Sequence, residues 1–424
     1  MSKTLPVQLT AQELRIVRLI MAIQFINILD FMMVMPLGPD FARALGIPTS
    51  HIGFIGGAYT AAAFLSGLAG SLYLDRLDRR KALALAMVGL VIGTAAGGFA
   101  IGLGTLMAAR IIAGLCGGPA TALAQAIIAD QIPPERRGRA MGMVAGGFAL
   151  ASVVGVPVGL KLAELGGWRT PFFAVASLGL LIVFAVARIM PAQNRHLADL
   201  PPFDLKQRFA ALREIMRRPI CRIGLAASFF GIAGHFLLIP NMSAYFQFNL
   251  GYLRDQLAWL YAAGGCISFF SMRYAGRMVD RLGATRVILF ISVGVITIYY
   301  ALFLHYIPIF PVLLLFTLFM TFNAARFVVI NTTTSKVPLP HERAGFMSLS
   351  SATQSLGSSV AAFVSSLILV GRPDGSLGNM PALTSLSIAV ALLVPVLIWQ
   401  IEKRLPARKP DIAVEDAVKM VGVE

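Results

Sequence analysis

The chain has 424 residues, 57% of them hydrophobic and 13% charged, with a formal net charge of +16. Soluble domains carry about a quarter charged residues and must show water a polar outside, so this composition excludes an ordinary soluble globule and points to lipid as solvent. The basic residues sit in short clusters between long uncharged runs, not along one amphipathic face, which argues against nucleic acid as a partner.

A spanning helix needs about 20 mainly apolar residues. The first run, 15–37, follows Glu13, Arg15 and Arg18 and lacks a small-residue cleavage pattern, so it reads as a span and not as a cleaved leader. It carries one internal acid, Asp30. The interval 44–74 is free of Asp, Glu, Lys and Arg and holds a second span at 50–74. A Gly-rich turn from Ile101 to Thr105 divides the next apolar stretch into spans at 82–101 and 105–129, and further spans follow at 139–164 and 170–190. Then comes the longest polar stretch, from Pro191 to Pro219, where the segment from Asp204 reads as an amphipathic helix lying at a membrane surface. Six more spans are predicted at 221–247, 256–276, 284–304, 309–334, 344–370 and 381–401, with His305, Pro308 and Pro311 separating the ninth from the tenth. The three cysteines, Cys116, Cys221 and Cys266, fall in or beside apolar runs without C-x-x-C spacing and read as small packing residues.

If the N-terminus is cytoplasmic, 29 of the 36 Lys and Arg fall on the cytoplasmic side, 5 fall outside, and Arg110 and Arg326 remain within spans. This is the bias of the positive-inside rule, and it supports an even number of spans with both termini cytoplasmic in a cell inner (plasma) membrane. The expected fold is an all-α integral membrane protein of twelve transmembrane helices in two six-helix bundles related by pseudo-two-fold symmetry. The predicted parts are an N-terminal bundle (1–190), a linker (191–220), a C-terminal bundle (221–401) and a tail (402–424).

The halves echo each other. Ser71-Leu-Tyr-Leu-Asp75-Arg76-Leu-Asp78-Arg79-Arg80-Lys81 follows the second span, and Gly276-Arg-Met-Val-Asp280-Arg281-Leu-Gly283-Ala-Thr-Arg286 follows the eighth. Ile132-Pro133-Pro134-Glu135-Arg136-Arg137 after span four is answered by Val337-Pro338-Leu339-Pro340-His341-Glu342-Arg343 after span ten. Repeated six-helix units place a transport site between the halves near mid-membrane.

On these residues the chain resembles the major facilitator superfamily over nearly its whole length. The loop after span two resembles that family's G-x-L-a-D-r-x-G-r-k motif through Asp75, Arg76, Arg79 and Arg80, although Ser71, Tyr73 and Asp78 depart from it. The second copy keeps both glycines, Gly276 and Gly283. Arg110-Ile-Ile-Ala-Gly114 is similar to the family's R-x-x-x-G element. Gly155-Val-Pro157-Val-Gly159 is similar to the G-P-x-x-G element of its antiporter branch, with Val156 interposed. Leu29-Asp30-Phe-Met-Met-Val-Met-Pro36-Leu-Gly-Pro39 is similar to the first helix of drug:proton antiporters and arabinose-efflux-like permeases. The resemblance implies a gate in which Asp75 and Asp280, with Arg76, Arg79, Arg80 and Arg281, latch the cytoplasmic side. It also implies a role for Arg110 in proton coupling or conformational change.

Asp30 is the residue with the sharpest chemistry. A lone carboxylate in hydrocarbon costs about 2.5–3.5 kcal/mol on insertion scales, so it should face a cavity and hold a partner or a proton. Gln24, Asn27 and Asp30 share one broad side of the helix. Arg326, flanked by Asn323 and Asn331, has no carboxylate in the membrane interior of its own half, so it needs a partner from the other half, water, an anionic ligand group, or a link to polar span eleven through Ser348, Ser351, Gln354 and Ser355. Asn27, Asp30, Arg326, Asn323, Gln354 and Asn241 are the candidate substrate contacts, and Asn241, Tyr245, Gln247 and Asn249 are expected to line an outer cavity. Gly155, Pro157 and Gly159 allow a kink and close packing in span five. His51 and His235 read as structural, and no cluster suggests a metal or an enzyme site.

The expected function is secondary transport by alternating access, as a proton-coupled antiporter exporting small apolar or amphipathic compounds. No cofactor is expected apart from the proton as coupling ion. The partners are a small-molecule substrate and the lipid bilayer, and the protein is expected to act as a monomer. The alternatives are a transporter for one metabolite (a sugar, an amino-acid derivative, an organic anion), a lipid or lysolipid transporter, and a non-transporting sensor.

Overall fold

A computed structural model describes residues 9–191, 205–306, 308–339 and 342–405. Twelve long helical segments run through these residues. In chain order the elements are α1 (Ala11–Val34), a short α2 (Gly38–Leu45), α3 (Ile52–Tyr73), α4 (Arg79–Gly98), α5 (Leu103–Gln131), α6 (Pro134–Leu150) and α7 (Val156–Gly166). They continue with α8 (Thr170–Ile189), α9 (Leu205–Arg217), α10 (Pro219–Phe236), a one-turn α11 (Met242–Ala244), α12 (Leu257–Leu282), α13 (Ala284–Tyr299), α14 (Val312–Thr334), α15 (Arg343–Ile368) and α16 (Met380–Arg404). Among the described residues, ten segments are long and apolar enough to cross a membrane. The other two, α12 and α15, have spanning length but more polar sequence, with Arg273, Arg277 and Asp280 on one and a run of serines on the other.

Local chemistry sets the helix ends. Thr10 caps α1: its Oγ1 accepts from the Glu13 amide at 3.3 Å, and the Glu13 carboxylate accepts from the Thr10 amide at 2.7 Å. This reciprocal box satisfies two orphan amides and starts the helix four residues before the expected boundary. Glu13 also takes a 3.0 Å ion pair from Arg136, which ties α1 to α6. Asp78, where the family motif has glycine, caps α4 through the amides of Arg80 and Lys81. Glu402, at the end of α16, caps α13 through the amides of Ala284 and Thr285, both at 2.9 Å.

The fifth span is α6 and α7 joined by a π-turn, Ala151–Gly155. The expected kink therefore begins before Pro157, which sits at the start of α7 where its missing N–H leaves no gap. The seventh span also breaks: α10 gives way to a 3₁₀ turn, Ile239–Asn241, then α11 and a π-turn, Tyr245–Asn249. A two-residue hairpin, with β1 (Val370–Gly371) antiparallel to β2 (Leu377–Gly378), joins α15 to α16.

The linker helix α9 lies against α10 and the start of α15, where Ile215 is buried near Gly345 and Arg218 pairs with Glu342. Of the linker, 192–204 lies outside the described residues, as do 406–424 of the tail.

Candidate functional site

The start of α1 and the end of α16 lie on one face, the terminal face; the loops after α1, α10 and α15 form the opposite, distal face. On the distal side the two halves meet. Arg254, after the seventh span, donates to Asp40 of α2 from Nε at 3.1 and 3.2 Å and from Nη2 at 2.8 Å. Ser243 of α11 donates to the Pro36 carbonyl at 2.9 Å. Ser359 of α15 donates to the Gly57 carbonyl of α3 at 3.2 Å. Glycine suits that approach: a Cβ at Gly57 would lie 3.2 Å from the Phe363 ring, and one at Gly53, a turn earlier, would clash with the Ala362 carbonyl at 2.5 Å. Phe31 of α1 stacks on Phe236 of α10 with centroids 6.0 Å apart, and Gly265 of α12 lies against Ser152 in the π-turn of the fifth span. These contacts form a seal across the distal half of the seam. On the terminal side, Cβ atoms at Gly138, Gly142 and Gly146 of α6 would meet open space.

Within the N-terminal bundle, Asp30 and Arg110 meet. Arg110 Nη1 lies 3.0 and 3.1 Å from the two carboxylate oxygens of Asp30, and Thr94 of α4 donates to Oδ1 at 2.6 Å. Arg110 also reaches the Gly93 carbonyl at 3.4 Å, and its guanidinium carbon stands 5.3 Å from the Phe172 ring. Asp30 is 0% and Arg110 1% exposed. The expectation that Asp30 faces a watery cavity is therefore corrected: it points back into its own bundle, between α4 and α5. The physical reason is mutual satisfaction, because a carboxylate that accepts three hydrogen bonds from a guanidinium and a hydroxyl can be buried dry.

Beside the pair runs a chain of neutral polar groups. Tyr59 of α3 donates to Asn27 Oδ1 at 2.9 Å; Asn27 Nδ2 donates to Thr121 Oγ1 at 2.7 Å and to the Gly117 carbonyl at 2.8 Å; and Thr121 reaches Gln24 at 3.4 Å. Tyr59 packs on Phe31, 5.1 Å between centroids, and Phe31 stacks on Phe236 of the other half, so the Tyr59 end of the chain lies at the inter-bundle seam. Hydropathy and charge patterns flagged Gln24 and Asn27 but not Tyr59, Thr94 or Thr121, which carry no charge and sit on other helices.

Arg326 of α14 is placed differently. It is 1% exposed, its Nη2 reaches the Phe230 carbonyl of α10 at 3.4 Å, and its Nε and Nη1 are buried without a hydrogen-bond partner. The link to span eleven, one of the alternatives for Arg326, is not formed. The contact goes to the seventh span instead, and Gln354 bonds Asn331 at 3.3 Å. Asn323 accepts from Tyr299 at 3.0 Å and donates to Phe319. Asn241 is fully buried and donates to Ser365 at 2.9 Å, while Asn249 clamps Leu377 through both its amide groups. Tyr245 and Asn249 line a cavity of about 300 Å³ on the distal side together with Phe303, Arg372 and Asn379, whereas Asn241 is packed inside the C-terminal bundle and is not among its lining residues.

Of the expected gate, Arg79 bonds Asp130 and the Ala126 carbonyl, and Arg80 bonds the Ala187 carbonyl, all within the N-terminal half. Asp280 and Arg281 are exposed at the end of α12. The side chain of Asp75 lies outside those described, and Arg76 is half-buried beside it in sequence. Among the described residues no group of three or more His, Cys, Asp or Glu side chains could hold a metal ion.

Two helical bundles closed together on one face, with buried polar groups behind the closure, define a membrane transporter of the two-bundle type. The chain belongs to the Major Facilitator Superfamily, whose model matches residues 20–362 and 225–414. It is 29% identical over 366 residues to a chloramphenicol resistance protein of Streptomyces lividans, covering 84% of this chain and 89% of that protein. It is 27% identical over 281 residues to the purine ribonucleoside efflux pump NepI of Shigella sonnei, covering 64% of this chain and 68% of that protein. Among solved structures, a D-xylose-proton symporter superposes with a TM-score of 0.74 at 17% identity, over 92% of this chain and 97% of that chain. An inward-facing bacterial homolog of the human lysosomal transporter Spinster superposes at 0.69 with 16% identity, over 94% and 98% of the two chains. The protein is thus a multi-pass membrane transporter for small molecules and not an enzyme.

Proposed function

We propose that this transporter is a proton-coupled antiporter that exports small apolar or amphipathic compounds by alternating access. The observation that carries the reading is the Asp30–Arg110 pair, 3.0 Å apart and sealed inside the N-terminal bundle. A buried pair of this kind is bistable. Protonating Asp30 removes the partner of a permanent cation, so the surrounding helices must rearrange to satisfy Arg110. The chain Tyr59–Asn27–Thr121–Gln24 connects that event to the seam between the halves, where a change in packing changes which face is open.

The 29-to-5 bias of basic residues supports a cytoplasmic terminal face, and the sealed distal half then corresponds to a state that faces the cytoplasm. Loading of an export substrate from the cytoplasm belongs to that state. The relatives support the direction of transport, since one is named for chloramphenicol resistance and another for efflux of purine ribonucleosides. Asp75 and Asp280, with their neighbouring arginines, are proposed to latch the terminal face when the distal seal opens. The functional unit is proposed to be a monomer in the cell inner membrane. A second reading, export of one defined metabolite, is favoured by the polar chain and by Arg326, which suit a substrate with hydrogen-bonding groups more than a hydrocarbon.

The test uses purified full-length protein in liposomes that contain a pH-sensitive dye, with chloramphenicol and a purine ribonucleoside as probes. Coupled proton movement is expected on addition of a transported probe. Asp30→Asn should lose the proton signal at least about tenfold while keeping probe binding. Unchanged proton-coupled flux in Asp30→Asn would remove the reading.

A further inference from the structure

The charge balance of the two bundles is unequal. In the N-terminal bundle the buried arginine has its carboxylate. In the C-terminal bundle the acids from residue 221 onward are Asp255, Asp280, Glu342, Asp374, Glu402 and those of the 406–424 tail, and every one lies at a helix end, in a loop or in the tail. Arg326 therefore sits in the interior with no carboxylate from its own half. It keeps its charge at any relevant pH, and an uncompensated guanidinium in a dry interior is among the most costly arrangements a protein can hold. Its single protein hydrogen bond, to the Phe230 carbonyl, is long at 3.4 Å, and Nε and Nη1 have none.

A second observation concerns the space beside those nitrogens. The neighbour on α10 is Gly234, and a Cβ there would stand 3.3 Å from Nη2, 3.7 Å from Nη1 and 3.6 Å from Val390. With glycine at 234, no side-chain carbon of α10 stands between its backbone and that edge of the buried guanidinium. The Gly234 carbonyl is turned away from the arginine and accepts from Ser387 of α16. His235, next in sequence, and the Tyr299 hydroxyl both lie near enough to feel the arginine's charge, and neither is anionic at neutral pH. The acceptors shown around Arg326, the Phe230 carbonyl among them, are neutral, and none carries the negative charge that would balance it.

We infer that Arg326, with Gly234 leaving room beside it, is the centre of a monoanion-binding subsite in the C-terminal bundle. The ligand chemistry is a compact singly charged acceptor, which both a halide ion and the carboxylate of an organic substrate provide. The inference goes beyond the proton-coupled reading, which rests on Asp30, and would stand without it.

The experiment is thermal unfolding of the purified full-length protein in detergent, titrated at constant ionic strength with sodium bromide or sodium benzoate against sodium sulfate, whose anion is doubly charged. A saturable rise in melting temperature of roughly 3–5 °C is expected with at least one of the two anions. Bromide alone identifies a resident counter-ion, benzoate alone a substrate carboxylate, and both a shared subsite. The response should vanish in Arg326→Gln and weaken at least about tenfold in apparent affinity in Gly234→Ala. Arg326→Lys serves if the glutamine variant does not fold, because it keeps the charge and loses the planar fork; the same tenfold weakening is expected. Identical melting in all three salts, or an undiminished response in the Arg326 and Gly234 variants, overturns the inference. Loss of this response with intact proton movement removes the anion subsite alone; the reverse result removes the proton reading alone.

Discussion

Replacing Arg254 by Gln tests how the distal seal is held. The native side chain makes three hydrogen bonds to Asp40, spanning 2.8 to 3.2 Å, and joins α2 of one half to the loop before α12 of the other. The partners keep 24% and 17% side-chain exposure, so solvent screens the pair and its contribution falls well short of a buried bridge. The forked geometry raises it above a single exposed contact, to about 0.5–1.5 kcal/mol. That energy is present only when the distal face is closed, so its loss should move the closed-to-open ratio roughly 2- to 12-fold toward open. The assay is pulsed electron–electron distance measurement between spin labels at Ala44 and Ala382, both exposed at the distal face, in a background lacking Cys116, Cys221 and Cys266. Arg254→Gln and Asp40→Asn should each lengthen the mean distance, added salt should lengthen it in the native protein, and the swap Asp40→Arg with Arg254→Asp should restore it. If both single variants keep the native distribution, the pair does not hold the seal.

Three further outcomes follow from particular contacts. Asp30→Asn leaves Arg110 buried without its counter-charge and should cost about 3–5 kcal/mol in unfolding free energy, while adding Arg110→Gln should recover a large part; additive losses would contradict the pairing. Gly57→Leu places a branched side chain where Phe363 and Ala362 close on α3, so it should favour the distal-open state by the same spin-label distances and abolish transport. In the turn of the hairpin, Ser376 donates to Asp374 from its hydroxyl at 2.7 Å and its amide at 2.9 Å, which holds that carboxyl below its ordinary value of 3.8. A depressed folded-state value means the turn's stabilisation is present above the unfolded value and is lost as pH falls through the folded one. Hydrogen exchange at the Ser376 amide, corrected for intrinsic rate, should thus stay constant down to about pH 4 and accelerate only below it.

The architecture was legible because lipid imposes a simple rule on sequence: runs without charge must cross, and basic clusters mark one side. Asp30 and Arg110 stood out for the same reason, and the structure joins them. What sequence left hidden depends on contacts between helices far apart in the chain. Thr94 and Tyr59 are unremarkable by composition, and only packing brings them to Asp30 and Asn27. The pairing of Asp40 with Arg254 was hidden because nothing local relates residues 214 apart. Asn241 read as a cavity residue because the break in the seventh span, which buries it, follows from its π- and 3₁₀ turns more than from hydropathy. The direction of Asp30 was also invisible, since helical spacing puts Gln24, Asn27 and Asp30 on one broad side without saying which neighbour that side meets.

The most direct measurement is proton movement in liposomes carrying native protein or Asp30→Asn, started by a probe that the native protein transports. The account predicts that native vesicles change internal pH with the probe flux and that the variant binds the probe yet moves neither it against a gradient nor protons with it. A variant that still drives uphill export, with the internal pH following as before, would contradict the assignment of coupling to the Asp30–Arg110 pair.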